Sequence, residues 1–254
     1  MDLYEAVDYR RWVRTYENIS ISVSLLKNIE NYCNHINTVI TDEKVNFSME
    51  TYDSLKLKFQ NVLSMKGLLK APYYFAIIVN DLELSLVEAG NFVGQVSLYF
   101  TTKNIGSCLV NIEKMKQKKN QWVVLYAFGL TKERVTTSTR KVRSFVSDRN
   151  CIYKSEPDAS VRKILMAAGV YPTSMLYQPY RFVLHGKKIH IFLKKEAILT
   201  KYQRMFLNFE IGLMLTSIAM KAEELWMNVV FKRVEQFTDN EMKKFEYCIS
   251  CYII

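Results

Sequence analysis

Glycine and proline are scarce, 8 and 4 in a chain of 254 residues, and neither is clustered. That excludes a flexible linker or a low-complexity segment, so most of the chain is expected to be ordered. The histidines are few and dispersed, at His35, His185 and His190. Neither a metal-ligand spacing nor a histidine-based triad is suggested by that distribution. Cys33, Cys108, Cys151, Cys248 and Cys251 are an odd number without framework spacing, which suits a reducing compartment and a cytoplasmic protein. The CISC pair at residues 248 to 251 has no second pair and no nearby histidine, and reads as two ordinary thiols. The opening MDLYEAVDYRRWVR lacks the apolar core and cleavage site of a secretory signal, so export is not expected. The longest apolar stretch, Phe206 to Val230, is broken by Glu210, Lys221, Glu223 and Glu224. Each of these would cost about 2.5 to 3.5 kcal/mol to bury in lipid, so a membrane span is not expected.

What the chain does have is apolar mass and positive charge. Hydrophobic residues make up 49%, enough to fill a core, and the formal net charge is +10. A basic balance attracts anions: nucleic acid, acidic lipid, or a phosphorylated cofactor. No aromatic RNP strand or paired zinc ligands accompany the charge, and the densest cluster, Lys116 to Lys119, reads as a solvated loop or helix end.

Periodicity organises the rest. Leu3, Ala6, Val7 and Trp12 recur near helical spacing, and Ser22 to Ile40 forms a second amphipathic helix with Ser22 or Ser24 as its cap. Ala71 to Asn80 reads as a buried strand entered through a proline. Gly90 onward reads as a buried helix ending near Lys103, with Gly106 as the left-handed residue of the following turn. Gln121 to Leu130 is another strand. A similar set then restarts: a helix capped by Asp158, a loop entering a strand, a hairpin across His185 and Gly186, and a long helix through LNFEIGLMLTSIAMKAEELW. The helices FVGQVSLYF and EIGLMLTSI are faintly alike, compatible with an internal repeat. WMNVVFKRV reads as the last strand, and EYCISCYII as an added edge strand.

Residues 10 to 14, RRWVR, put three guanidinium groups at a helix exit. Arginines stay charged and offer a planar fork of donors, so such a group can clamp a phosphate, each bond contributing about 1.5 to 3 kcal/mol. Alone, the segment reads first as a solvated basic face.

Context changes that reading, because four segments together resemble the nitroreductase family. An N-terminal helix leading into an RRS-x-R-like sequence is matched by Arg10, Arg11, Trp12, Val13 and Arg14. A loop like A-P-S-x-x-N-x-Q-P-W is matched in YPTSMLYQPYRF by Pro172, Thr173, Ser174, Leu176, Gln178, Pro179 and Tyr180. A helix ending like G-L-G-T-C-W is matched in NIGSCLV by Ile105, Gly106, Ser107 and Cys108, and a basic pair after the next strand by Arg140 and Lys141. In ordinary members the proline-containing loop soon follows the arginine segment, and a homodimer brings the two together. Here the loop lies far downstream, which resembles a subgroup with two fused half-like units. The resemblance implies an α+β fold of mixed and antiparallel sheets packed with helices, a tandem pseudo-dimer in one chain. Residues 1–155 would be the first half and residues 156–254 the second. Half two has no arginine cluster before its loop and no glycine turn after its helix near Trp226, so only one complete site is expected.

The same resemblance implies FMN as cofactor, with NADH or NADPH as cosubstrate and a small-molecule electron acceptor such as a nitroaromatic or quinone. Arg10, Arg11, Arg140 and Lys141 would hold the FMN phosphate, and Arg14 would lie toward the pyrimidine edge of the flavin. Thr173 and Ser174 would approach from the other half, beside Pro172, Leu176 and Gln178, and backbone N–H groups around Ser107 to Leu109 would face the ring near Trp12, Ile105, Gly106 and Cys108. Trp12 departs from the family's small polar residue, Leu176 from its loop asparagine, and Tyr180 from its tryptophan. Cys108 reads as packing. No nucleic-acid or membrane partner is expected, and the chain is expected to be a monomer or a weak homo-oligomer, its acceptor pocket shaped by loops such as Thr41 to Met65. Two alternatives stay open: a flavin-binding or storage protein without turnover, and an anion or nucleic-acid binding module that has lost the flavin.

Overall fold

A computed structural model describes residues 1–39, 45–59, 68–80, 83–110, 121–132, 146–170, 179–195, 201–234 and 239–254. The chain divides into two compact units, Met1–Val142 with Asn208–Leu213, and Arg143–Leu207 with Met214–Ile254. Within them the fold is α+β, as the sequence leads one to expect.

In the first unit, α1 (Leu3–Tyr9) opens on a capping box, in which the Asp2 carboxylate accepts the Glu5 N–H at 2.8 Å and the Glu5 carboxylate accepts the Asp2 N–H at 3.2 Å. Ser22 caps α2 (Val23–Val39) by accepting the Leu25 N–H at 3.3 Å, and α2 buries Ile29, Cys33 and Ile36 at helical spacing. There follow β1 (Asn46–Thr51), α3 (Tyr52–Phe59), β2 (Tyr73–Asn80), α4 (Glu83–Thr102), β3 (Ile105–Leu109) and β4 (Gln121–Leu130). The sheet runs β1-β2-β4-β3, antiparallel throughout. Its core is aromatic: Phe75 stacks on Phe128 at 5.0 Å, and Phe100 lies 4.8 Å from Phe128. Each such pair contributes about 0.5 to 1.5 kcal/mol beyond its area.

The turn after α4 departs from expectation. Its left-handed residue is Asn104, φ 55, while Gly106 lies inside β3. Asparagine tolerates this conformation because its short amide bonds locally; Gly106 is a glycine for a close approach instead.

A closer backbone approach involves Gly90 on α4. A Cβ built on Gly90 would stand 2.0 Å from the carbonyl oxygen of Phe209, and one on Gly212 would stand 2.0 Å from that of Val87. The contact is reciprocal, each glycine meeting the carbonyl three residues before the other. The faint sequence likeness pairs Gly94 with Gly212; the structure instead makes Gly90 the counterpart, one helical turn earlier.

In the second unit, β5 (Cys151–Tyr153) precedes α5 (Ala159–Ala167), whose cap is Asp158, accepting the Val161 N–H at 2.8 Å. Next come β6 (Tyr180–His185), β7 (Lys188–Lys194), α6 (Lys201–Glu224), β8 (Val229–Lys232) and β9 (Phe245–Ile253). Asn208–Leu213, although part of α6, belongs with the first unit. From Gln203 to Glu224, α6 is long and apolar enough to cross a membrane, yet 78% of its most apolar window is buried inside the protein, as in a core helix. The hairpin turn is Gly186 and Lys187, closed by His185 opposite Lys188, one residue later than expected; Gly186 has φ 58.

The sheet runs β5-β6-β7-β9-β8, with β5 parallel to β6 and the rest antiparallel. The expected edge strand EYCISCYII is therefore interior, and the four-residue β8 is the edge. Length decides this: nine residues of β9 can pair on both sides, and they bury Ser250, Cys251 and Ile253. On this sheet His190 Nδ1 lies 2.6 Å from the Ser250 hydroxyl, which is 2.7 Å from the Tyr247 hydroxyl. Cys248 and Cys251 are separate free thiols.

The two sheets share one plan. Strands β6-β7-β9-β8 repeat β1-β2-β4-β3, with a long helix before the edge strand and the final strand inserted inside that edge. Asn104 follows Gly90 by the same fourteen positions that separate Trp226, φ 58, from Gly212.

Candidate functional site

The arginine segment lies on the edge of the first unit's sheet. Helix α1 stops at Tyr9 because Arg10 turns to extended backbone, φ −59 and ψ 132. Trp12 then forms a parallel bridge with Ser107, the Val13 N–H donates to the Ser107 carbonyl at 2.9 Å, and the Glu17 N–H donates to the Leu130 carbonyl at 2.8 Å. Residues 12 to 17 thus cover β3 and the end of β4. Two glycines make room. A Cβ on Gly106 would stand 2.8 Å from Val13 Cγ1 and 2.9 Å from Thr131 Cγ2, and one on Gly129 would meet Pro72 at 2.8 Å and the Tyr16 ring at 3.2 Å. Close approach, not a turn, is what demands glycine at 106.

Tyr16 fastens the segment. Its hydroxyl donates to the Val13 carbonyl at 2.7 Å, with the Ala127 carbonyl at 3.3 Å and Cys108 Sγ at 3.6 Å around it. Burial, then the neighbouring Cys108, pushes this phenol well above its ordinary range, so it stays a donor. Burial likewise raises the Cys108 thiol, against the Tyr16 hydrogen bond and the Arg14 and Arg10 charges. A buried neutral thiol is a packing group, as the sequence reading has it, rather than a nucleophile.

The three arginines part company. Arg11 and Arg14 are exposed, whereas Arg10 is only 2% exposed and its guanidinium carbon lies 3.5 Å from the centre of the Trp12 ring. Trp12 stands edge-on to Tyr126, 6.0 Å between centroids, and the Tyr126 hydroxyl is 2.7 Å from the Ser107 hydroxyl. The tryptophan that replaces the family's small polar residue thus offers Arg10 an aromatic face and holds it inward, a cation–π contact of about 2 kcal/mol when desolvated. Arg14 forms no ion pair among the described residues. Two exposed guanidinium groups on backbone pinned to a sheet edge are suited to an anionic group, with a third positive charge buried behind them.

The structure therefore brings together Arg10, Trp12, Ser107 and Cys108 around Val13, with Ile105, Gly106 and Leu109 on the same strand and Arg11 and Arg14 on the same segment. Arg140, Lys141, Pro172, Thr173, Ser174, Leu176 and Gln178 lie outside the described residues, as does the Lys116 to Lys119 cluster. The sequence does not single out Tyr16, Tyr126 or Gly129 as site residues. Gly129 alone carried a signal, being a glycine inside a strand otherwise rich in aromatic and β-branched residues.

The family model described as "Putative TM nitroreductase" matches residues 2–222. The chain belongs to that family. A structure described as a "putative nitroreductase" from Thermotoga maritima is 16% identical with a TM-score of 0.63, covering 99% of this chain and 93% of that one. At that identity the match shows a nitroreductase fold over the whole chain. An FMN-dependent nitroreductase from Clostridium difficile R20291 is 16% identical over 50% of this chain and 87% of its own, with a TM-score of 0.40. A nitroreductase-like protein from Bacillus cereus is 14% identical over 61% of this chain and 97% of its own, with a TM-score of 0.47. No curated protein matches the chain.

Proposed function

We propose that this nitroreductase-family chain is an FMN-dependent oxidoreductase that takes electrons from NADH or NADPH and passes them to a small acceptor such as a nitroaromatic or quinone. The observation that carries the reading is the arginine segment held on the edge of β3 in a family member, with Arg11 and Arg14 exposed there. The donor chemistry suits a phosphate-bearing aromatic. Arg11, with Arg140 and Lys141, would bind the phosphate, and Arg10, held against the Trp12 ring, would add its charge from within. Arg14 would neutralise charge at the ring's pyrimidine edge. Thr173 and Ser174 would orient the group from the downstream loop, with Pro172, Leu176 and Gln178 beside them, and the backbone around Ser107 to Leu109 would flank the ring. When bound, FMN supplies the hydride chemistry, and the protein binds, orients and excludes water.

The repeated strand plan and the reciprocal Gly90 and Gly212 contact support the further reading that the chain is an internal pseudo-dimer carrying one site. The purified protein is expected to be yellow with roughly one FMN per chain, and to bleach when NADPH or NADH is added without oxygen. A colourless preparation that cannot be reconstituted overturns the proposal. Arg14→Ala and Thr173→Ala should both weaken FMN binding; loss in only one removes the split site. The departures from the family pattern at Trp12 and Leu176 favour one second reading, a flavin carrier without turnover, for which the bound flavin would stay oxidised under the same treatment.

A further inference from the structure

The turn that leads into β8 carries an unusual residue. Trp226 is 98% exposed and sits at φ 58, a conformation that bulky side chains rarely adopt. Its counterpart in the first unit is Asn104, which meets the same backbone demand without strain. A large ring held in a disfavoured conformation in full contact with solvent serves neither the turn nor the core, which points to a surface role.

The strand that follows has an open edge. β8 pairs with β9 on one side and, among the described residues, with nothing on the other, whereas its counterpart β3 is covered by Trp12 and Val13. The register shows which groups are presented. Asn228 and Ile254 exchange both N–H to carbonyl bonds, at 3.2 and 2.9 Å, so Val230 with Tyr252 and Lys232 with Ser250 repeat that pattern along the ladder. The N–H and carbonyl groups of Val229 and Phe231 therefore point to the outer edge.

We infer that the outer edge of β8 is a self-association surface, which a second copy of this chain occupies by antiparallel β8 to β8 pairing with Trp226 covering each end. The geometry is self-complementary. With the two-fold axis at Val230, Val229 of one copy exchanges both backbone bonds with Phe231 of the other, and the reverse holds. Val230, 48% exposed, meets its own equivalent across the axis on the outward face. Asn228 stands opposite Lys232, so no like charges are opposed. The charges at the two ends also match. The antiparallel arrangement carries the exposed Glu223 and Trp226, before the strand, toward Lys232 and Arg233 at the end of the other copy's strand. Four residues and one ring per copy make a small interface, so the dimer is weak and concentration-dependent.

Sedimentation of the full chain across micromolar to submillimolar concentration tests this. The wild type should shift from monomer to dimer, while Trp226→Asn and Val230→Lys should each raise the dissociation constant about tenfold or more. Trp226→Asn should leave the melting temperature unchanged or raised, because it relieves the turn, which separates lost association from lost folding. Amide exchange at Val229 and Phe231 should slow as concentration rises, and exchange at Val230 should not respond in the same way. A chain that stays monomeric throughout, or a dimer equally strong in both variants, overturns the inference.

Discussion

The two sheets repeat one strand order, yet their corresponding edges are treated differently. β3 carries the arginine segment, and the residue that admits it is Gly106, whose Cβ would collide with Val13. At the equivalent place before β8 stands Asn228, whose backbone is paired with Ile254. The long helix of each unit ends on a left-handed residue, tolerant Asn104 in one and exposed Trp226 in the other. What recurs is scaffold; what differs is the residue set that decides whether an edge is covered. A nitroreductase fold alone therefore does not say where a site is, and the edge chemistry does.

The likeness between the two long helices is most exposed to challenge where Gly90 and Gly212 meet. Because a Cβ on either Gly90 or Gly212 would stand 2.0 Å from a backbone carbonyl oxygen, no side-chain adjustment can admit a methyl group. Gly90→Ala and Gly212→Ala should each cost about 3 kcal/mol or more by overpacking, and by similar amounts, measured by urea unfolding. A tolerated alanine, or a marked inequality between the two, would break the reciprocity.

The difference between the edges is tested at the equivalent positions Gly106 and Asn228. Gly106→Val should drive Val13 and its segment off β3, costing about 1 to 3 kcal/mol and reducing FMN retention, whereas Asn228→Val should leave FMN retention unchanged. Equal loss in both variants would mean that the flavin does not depend on the covered edge.

Much of this was readable in advance, for physical reasons that also explain the misses. Strands such as Tyr73–Asn80 and Gln121–Leu130 are runs of aromatic and β-branched residues, and the caps at Ser22 and Asp158 are side-chain acceptors just before apolar periodicity. The gathering of RRWVR beside IGSCL was legible only through the family pattern, since no local rule links residues so far apart. Three features resisted. Glycine satisfies a left-handed turn and a close approach equally well, so the residue type at Gly106 does not choose between them. The interior place of β9 is hidden because strand order depends on pairing lengths that composition does not display. The inward Arg10 depends on Trp12 next to it, a contact between side chains that no periodicity encodes.

Tyr16 offers a smaller effect confined to the covered edge. Tyr16→Phe removes the donor to the Val13 carbonyl while keeping the ring against Gly129, and should cost about 1 to 3 kcal/mol if that carbonyl is left unpaired. Thermal melting reads the loss, and FMN titration should weaken in step. A melt shift without weaker FMN binding would separate the segment from the site.

The smallest expected difference is one of acid response. In the second unit, burial, then Lys188 and His185, holds the His190 imidazole below its ordinary value of about 6.5, with only Asp239 opposing. The folded state disfavours the proton, so the unfolded chain binds it first, and stability declines as pH falls below about 6.5. In the first unit, burial raises the Glu50 carboxyl, but hydrogen bonds from Lys58, Ser48 and Ser54 outweigh it and hold the group below its ordinary 4.5. That contribution is intact above about 4.5 and is lost only as pH falls through the lower folded value. Between these limits the second unit alone should loosen, seen as falling hydrogen-exchange protection in β7 and β9 while β1 and β2 hold. His190→Gln should flatten the response; earlier loosening of β1 and β2 would assign acid sensitivity to the other sheet.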